Sequence, residues 1–248
     1  MNANKVQEQL NQIKKRIDAS CRSANRNPDD ITLLLATKTV SAETIKPALD
    51  AGETLLGENK AQELQEKYPL IEDNRAQWHF IGHLQTNKIN NVLPYVTCIQ
   101  SVDRLKLAQK LHNRLLKDNR TLDILVQVNT SYEESKFGAA PEHVLTLIEQ
   151  LSEFSTLHIK GLMTIGKLSA NSEETRESFR LLKSLQEQVK AQDYPGVDMG
   201  VLSMGMSGDL EAAIEEGATM IRVGTAIFGD REYPDSYYWN EQLSDTDD

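Results

Sequence analysis

The pattern that most restricts this chain is an alternation of strand-like runs with helical stretches, repeated eight times with no break in composition between repeats. The first run, Ile31-Thr-Leu-Leu-Leu-Ala-Thr-Lys38, is apolar along its length and reads as a parallel strand buried on both faces. Ser41 can cap a helix reaching about Ala51-Gly52, and a second strand follows over Thr54–Asn59. Further strands are expected at Trp78–Gly82, Cys98–Val102, Leu122–Asn129, Leu157–Thr164, Gly200–Met204 and Ala218–Val223. Helices are expected from about Lys60, from Gln85 to Val92, from Arg104 to Lys117, from Pro141, from Asn171-Ser172 and from Asp209 to Glu216. Ahead of the first strand, Val6, Leu10, Ile13, Ile17 and Cys21 recur every three or four residues, as in an amphipathic helix closed near Asn27-Pro28.

A chain of 248 residues could form two small domains. Eight strand–helix units without a linker instead fit a closed (β/α)8 TIM barrel, which needs about 250 residues. The expected fold is therefore α/β, one barrel domain over residues 1–240 behind an N-terminal helix, with an acidic tail at 241–248 that should fray.

Composition removes several function classes. Lys and Arg total 27 against 37 Asp and Glu, a net charge of −10, and no basic cluster could follow a phosphate backbone, so nucleic acid is excluded as a partner. No apolar run nears the roughly 18 residues of a membrane span. The start, Met1 to Glu8, lacks the apolar centre of a secretory signal, which predicts a cytoplasmic protein. Cys21 and Cys98 have no metal or redox spacing and read as buried thiols. His79 and His83 are four apart on a strand with no third ligand, so a metal site is rejected. Gly205-Met-Ser-Gly208 is not a nucleophile elbow, and neither a Gly-x-Gly-x-x-Gly nor a Walker loop occurs. His112, His143 and His158 fall away from the expected active face and read as structural.

Barrels place chemistry at the C-terminal ends of their strands, often with a phosphate site after strands seven and eight. Lys38 ends the first strand behind seven uncharged residues. Desolvation there would favour a nucleophilic amine able to form a Schiff base, the alternative being a lysine that turns to solvent. After strand seven, Ser207 and Gly208 fall where a helix begins and N–H groups are free. After strand eight, Gly224 permits close backbone approach and Thr225 adds a hydroxyl at a short helix start. Ser207 alone would read as a helix cap, but the paired loops favour a shared phosphate. Asn59, His83 and Asn129 also lie at strand ends. Arg222 sits in an apolar strand, where it needs either a buried ion-pair partner or an aromatic ring nitrogen to donate to. A Schiff-base lysine, a phosphate cradle and such an arginine together specify pyridoxal 5'-phosphate.

Ala36-Thr-Lys38-Thr, Gly57-Glu-Asn59-Lys, His79-Phe-Ile-Gly-His-Leu-Gln-Thr-Asn-Lys88, Gly161-Leu-Met163, Ser203-Met-Gly-Met-Ser-Gly-Asp209 and Arg222-Val-Gly-Thr-Ala-Ile-Phe-Gly229 resemble the pyridoxal phosphate homeostasis protein family over nearly the whole chain. The resemblance implies a barrel of the alanine racemase N-terminal type with pyridoxal phosphate held as an aldimine on Lys38. It also implies Ser207, Gly208, Gly224 and Thr225 at the phosphate, Arg222 at the ring nitrogen, and Asn59, His83 and Met204 lining the pocket. Racemases of this barrel add a second domain carrying an opposing tyrosine, whereas this chain ends soon after strand eight. An arginine also leaves the ring nitrogen unprotonated and weakens it as an electron sink. The expectation is thus a monomeric, non-catalytic carrier in intracellular vitamin B6 homeostasis, with PLP-dependent apoenzymes as candidate recipients. A weak single-domain racemase and a Schiff-base aldolase acting on a phosphorylated sugar are the alternatives.

Overall fold

A computed structural model describes residues 3–167, 169 and 171–229. The acidic segment 241–248, read above as frayed, lies outside the described residues. Eight strands form a closed parallel barrel in sequence order: β1 (Thr32–Ala36), β2 (Leu55–Glu58), β3 (Gln77–Phe80), β4 (Cys98–Val102), β5 (Leu122–Gln127), β6 (Leu157–Met163), β7 (Val197–Ser203) and β8 (Met220–Val223). Closure is made by β8 pairing with β1, Thr32 opposite Met220 and Leu35 opposite Val223. Outside the barrel run α1 (Ala3–Ser23), α2 (Ala42–Asp50), α3 (Ala61–Lys67), α4 (Ile89–Val92), α5 (Leu105–Lys117), α6 (Val144–Ser152), α7 (Ser172–Lys190), α8 (Leu210–Glu215) and α9 (Thr225–Phe228).

Several boundaries differ from the sequence reading. β1, β2 and β5 end before Lys38, Asn59 and Asn129; the last backbone bonds to the neighbouring strands include Thr37 N–H to the Gly57 carbonyl and Val128 N–H to the Met163 carbonyl, both at 2.9 Å. β7 begins at Val197 rather than Gly200: the exposed Asp198 turns its carboxylate back to the Gly200 N–H at 2.9 Å, so a charge and a glycine disguise the strand's first half. The expected helix from Gln85 to Val92 is a 3₁₀ turn over Thr86–Lys88 followed by one turn of α4. Leu93 still holds helical angles, but Pro94 has no N–H to offer the Asn90 carbonyl, and the helix stops there.

The core has two layers. Between barrel and helices lie apolar stripes such as Leu107, Leu111 and Leu115 of α5 and Phe179, Leu182 and Leu185 of α7, each fully buried side chain stabilising by roughly 1.5–3 kcal/mol. Inside the barrel is a smaller cluster of Cys98, Leu125 and Met163, joined by Ile165 and Val201. The N-terminal helix has an architectural role. α9 is too short to cover the seam between β8 and β1, and α1 lies against α2, α8 and α9 in that place, burying Val6, Leu10, Ile13, Ile17 and Cys21. No described helix is long and apolar enough to cross a membrane.

Candidate functional site

Lys38 follows β1 in a turn whose next residue, Thr39, has φ +63°, an uncommon conformation for a residue that is not glycine. The turn carries the lysine inward. Lys38 is only 9% exposed and lines a cavity of about 220 Å³ at the C-terminal mouth of the barrel, so it does not face solvent. That volume is below the roughly 300–1,000 Å³ of sites for drug-sized ligands and suits a single substituted ring. Ala36, Ile81, Met163, Ile165 and Met206 form its apolar walls, and Asn59, Ser207, Gly208, Arg222, Gly224 and Thr225 its polar and backbone surface.

The loops after β7 and β8 meet through side chains. The Ser207 hydroxyl accepts from Thr225 Oγ1 at 3.2 Å and from the Ala226 N–H at 3.3 Å, which fastens the first loop to the start of α9. Ser207 therefore does cap a helix, but α9 rather than the one it precedes. Gly224 lets β8 approach β1, since a Cβ there would stand 2.8 Å from the Ala36 carbonyl oxygen. Beside Gly208 a Cβ would meet nothing within 4 Å, so space for a ligand is open at this end of the cavity. Behind the loop, Arg16 of α1 donates to the Ser207 carbonyl at 3.0 Å and grips both oxygens of Glu211. That pairing holds the Glu211 carboxyl below its ordinary value. Burial pushes the Asp209 carboxyl up, against the hydrogen bond it takes from the Met206 N–H.

Arg222 has no ion pair within contact distance among the described residues. It donates to Ser203 Oγ at 2.7 Å and to the Thr164 carbonyl at 2.8 Å. Burial lowers its pKa to about 10, so it stays cationic at neutral pH, helped by the field of Asp209. The hydroxyl of Ser203 donates in turn to Gln100 Oε1 at 2.7 Å, and the Gln100 amide donates to His79 Nδ1 at 2.9 Å. The chain thus runs from β8 to β3, and the Gln100 amide also donates back to Met220 Sδ of β8 at 3.1 Å. Burial lowers the His79 pKa to about 4, so its Nδ1 remains an acceptor.

The remaining site expectations divide. Asn59 borders the cavity with a buried Oδ1 that has no hydrogen-bond partner among the described residues. Gly82 permits this approach, because a Cβ there would overlap the Asn59 carbonyl at 2.1 Å. His83 lies in an adjoining pocket that shares Asn59, its ring stacked on Phe137 at 3.7 Å, and does not line the lysine cavity. Met204 is fully buried in the layer between barrel and helices, because Ser203 takes the inward register, and Met206 forms the cavity wall instead. Asn129 ties the loop after β5 through the carbonyls of Glu133 and Lys136. Sequence reasoning missed Ser203, Gln100, Thr164 and Arg16. Strand alternation could have paired Ser203 with Arg222, whereas nothing local announced the others.

A phosphate-bearing aldehyde fits these residues: an inward amine, hydroxyls at the opposite loops, open space at Gly208 and an unmet carbonyl oxygen on Asn59. Fold and site together define a (β/α)8 barrel with its lysine after β1 and hydroxyl-bearing loops after β7 and β8, the class described by the alanine racemase N-terminal domain, whose family model matches residues 9–232. A pyridoxal phosphate homeostasis protein of Aquifex aeolicus is 41% identical over 226 residues, spanning 91% of this chain and 98% of the relative. Among solved structures, a protein of Bifidobacterium adolescentis described as unknown aligns at TM-score 0.87 and 36% identity, over 91% of this chain and 95% of its own. PipY of Synechococcus elongatus, solved with PLP bound, aligns at TM-score 0.77 and 33% identity, over 88% and 100%. The chain belongs to the pyridoxal phosphate homeostasis protein family.

Proposed function

We propose that this chain binds pyridoxal 5'-phosphate at the mouth of its barrel and acts in intracellular homeostasis of that cofactor, holding and handing it on without turning over an amino acid. The observation that carries the reading is the make-up of the cavity. Lys38 supplies an inward amine, Ser207 and Thr225 supply hydroxyls opposite, and no described lining residue is a tyrosine, histidine, cysteine or carboxylate that could act as a second base. When bound, the group brings an aldehyde for an amine and a ring that can take up electrons. Arg222 limits the second of these. A guanidinium that stays charged can donate a hydrogen bond but gives no proton to a ring nitrogen. The relative from Aquifex aeolicus carries the homeostasis name and PipY is described with PLP bound, which supports the same reading here.

The proposal extends to a monomer working in the cytoplasm as one domain over residues 1–240, with PLP-dependent apoenzymes as recipients. Two buried thiols agree with a reducing compartment: burial raises the pKa of Cys21 and of Cys98, which leaves both poor nucleophiles. Purified protein loaded with pyridoxal phosphate and mixed with D- or L-amino acids in deuterated water tests the reading. Stoichiometric uptake, with no sustained incorporation of deuterium at the α-carbon, is expected. Multiple-turnover exchange lost in Lys38→Ala would establish a racemase instead. A colourless protein that borohydride links to a phosphorylated sugar would establish an aldolase.

A further inference from the structure

Beneath the Lys38 turn lies a cluster of charges that the cofactor site itself does not use. Glu58, the last residue of β2, is fully buried, and Lys67, at the end of α3, is 8% exposed. Lys67 Nζ donates to Glu58 Oε1 at 2.5 Å, to Glu63 Oε2 at 2.8 Å and to the Thr37 carbonyl at 2.8 Å. Those three acceptors match the three donors of an ammonium group.

The acceptors are tied in turn to the backbone that presents the site. Glu58 Oε1 accepts from the Thr37 hydroxyl at 2.9 Å, and Glu58 Oε2 from the Asn59 N–H at 3.1 Å. Glu63 Oε2 accepts from the Thr39 N–H at 2.7 Å, the residue held at φ +63°. Lys38 is therefore gripped at the residue before it and the residue after it, and Asn59 at its own N–H. One ammonium group joins all of these ties. Burial raises the Glu58 carboxyl above its ordinary value and Lys67 opposes that rise, so the cluster keeps its charge only while it is complete.

We propose that Lys67 is a positioning residue for the cofactor site, holding the turn that aims the Lys38 amine and the Asn59 side chain into the cavity. The inference rests on the functional reading above and adds a device to it. A buried charge cluster that served stability alone could sit anywhere under the barrel. This one closes on the peptide groups flanking the lysine and leaves the phosphate loops untouched.

The test separates the aldehyde end of the ligand from its phosphate end. Pyridoxine 5'-phosphate has the ring and the phosphate but no aldehyde, so its binding reports the loops after β7 and β8 and not the aim of Lys38. Uptake of both ligands is measured by the full chain in three forms: wild type, Lys67→Met, and Glu58→Gln/Lys67→Met, which also removes the charge that the first change strands. Thermal melts without ligand accompany each. In both variants, pyridoxine phosphate binding should stay within about twofold of wild type, while pyridoxal phosphate affinity and the rate of borohydride fixation at Lys38 fall at least tenfold. The double variant should recover stability toward wild type without recovering pyridoxal phosphate uptake. Lys67→Met alone could fail to fold, in which case the double variant carries the comparison. Pyridoxal phosphate uptake restored together with stability would overturn the proposal and return Lys67 to a purely structural role. A wild-type chain that takes up neither ligand would overturn the functional reading, and the positioning role with it.

Discussion

On the β1–β2 side of the barrel mouth, the backbone around Lys38 and Asn59 is held by charge: the buried pair of Glu58 and Lys67, joined by the partly exposed Glu63, linked at 2.5–2.8 Å. On the β7–β8 side, the loops are held by neutral groups, with Ser207 accepting from Thr225 and Ala226, and by the half-exposed pair of Arg16 and Glu211. The two sides differ in how they fail. Removing one partner of a buried ion pair costs about 3–5 kcal/mol because the other charge is stranded. Losing a neutral hydrogen bond costs about 0.5–1.5 kcal/mol, and an exposed ion pair about 0–1 kcal/mol. The lysine side is thus set before a ligand arrives, whereas the proposed phosphate side keeps hydroxyls that an anion could draw into new bonds. That division fits the proposed role of binding a cofactor and also releasing it.

The largest effect should come from the lysine itself. Lys38→Ala should abolish borohydride fixation of pyridoxal phosphate, checked by peptide mapping, because no other lysine lines the cavity among the described residues. A mapped adduct on another lysine in that variant would move the aldehyde-binding function off the β1 side.

Second in size is the paired change Ser207→Ala/Thr225→Ala. As a donor to the phosphate each hydroxyl would be worth about 1.5–3 kcal/mol, so cofactor affinity should fall at least tenfold. The sequence alone suggests no effect on the ligand-free protein. The structure adjusts this to a loss of about 1 kcal/mol, because Ser207 Oγ is also the acceptor for the Ala226 N–H. Unchanged affinity with lowered stability would reduce both residues to loop fasteners.

Why the sequence showed one part of this site and hid the other follows from where each signal is stored. Lys38, Asn59, Ser207, Gly208, Gly224 and Thr225 all follow strand ends, and strand ends can be found from local apolar periodicity. Whether a side chain points into the barrel depends on register, so Met204 and Met206 could not be told apart, and the pairing of Ser203 opposite Met220 decides it. His83 stands in the adjoining pocket for a related reason: it leaves the strand at Gly82 and stacks on Phe137. The chain from His79 through Gln100 and Ser203 to Arg222 spans four strands, and no window of sequence contains it.

That chain runs from the β7–β8 side across the barrel to β3 and supplies the third prediction. His79 has a folded pKa of about 4, below the unfolded value of about 6.5. As pH falls, the unfolded chain takes up the proton first. The stability contribution is complete above about pH 6.5 and is lost progressively toward pH 4. Between pH 7 and pH 5 it amounts to at most about 2 kcal/mol, less to the extent that the half-buried ring keeps some solvent contact. Urea melts at the two pH values should show a smaller acid loss in His79→Gln than in wild type. Equal losses would mean that the interior chain tolerates a charged imidazole.

The smallest effect should come from Arg16, and it tests whether the phosphate side reaches beyond the barrel. Arg16 belongs to α1 and contacts Ser207 across 191 positions of sequence. It is 35% exposed and its partner Glu211 43%, so the ion pair itself is screened and weak. The bond to the Ser207 carbonyl is different in kind, because it orients the same peptide segment whose hydroxyl lines the cavity. Arg16→Met should therefore leave the thermal midpoint nearly unchanged while weakening cofactor affinity about two- to threefold at low salt. The difference should shrink as salt rises and screens the wild-type contact. A tenfold loss would make α1 part of the binding apparatus, and no loss at low salt would confine it to covering the seam between β8 and β1. The intermediate result would show an adjustable side steadied from the surface, facing a lysine side held from within.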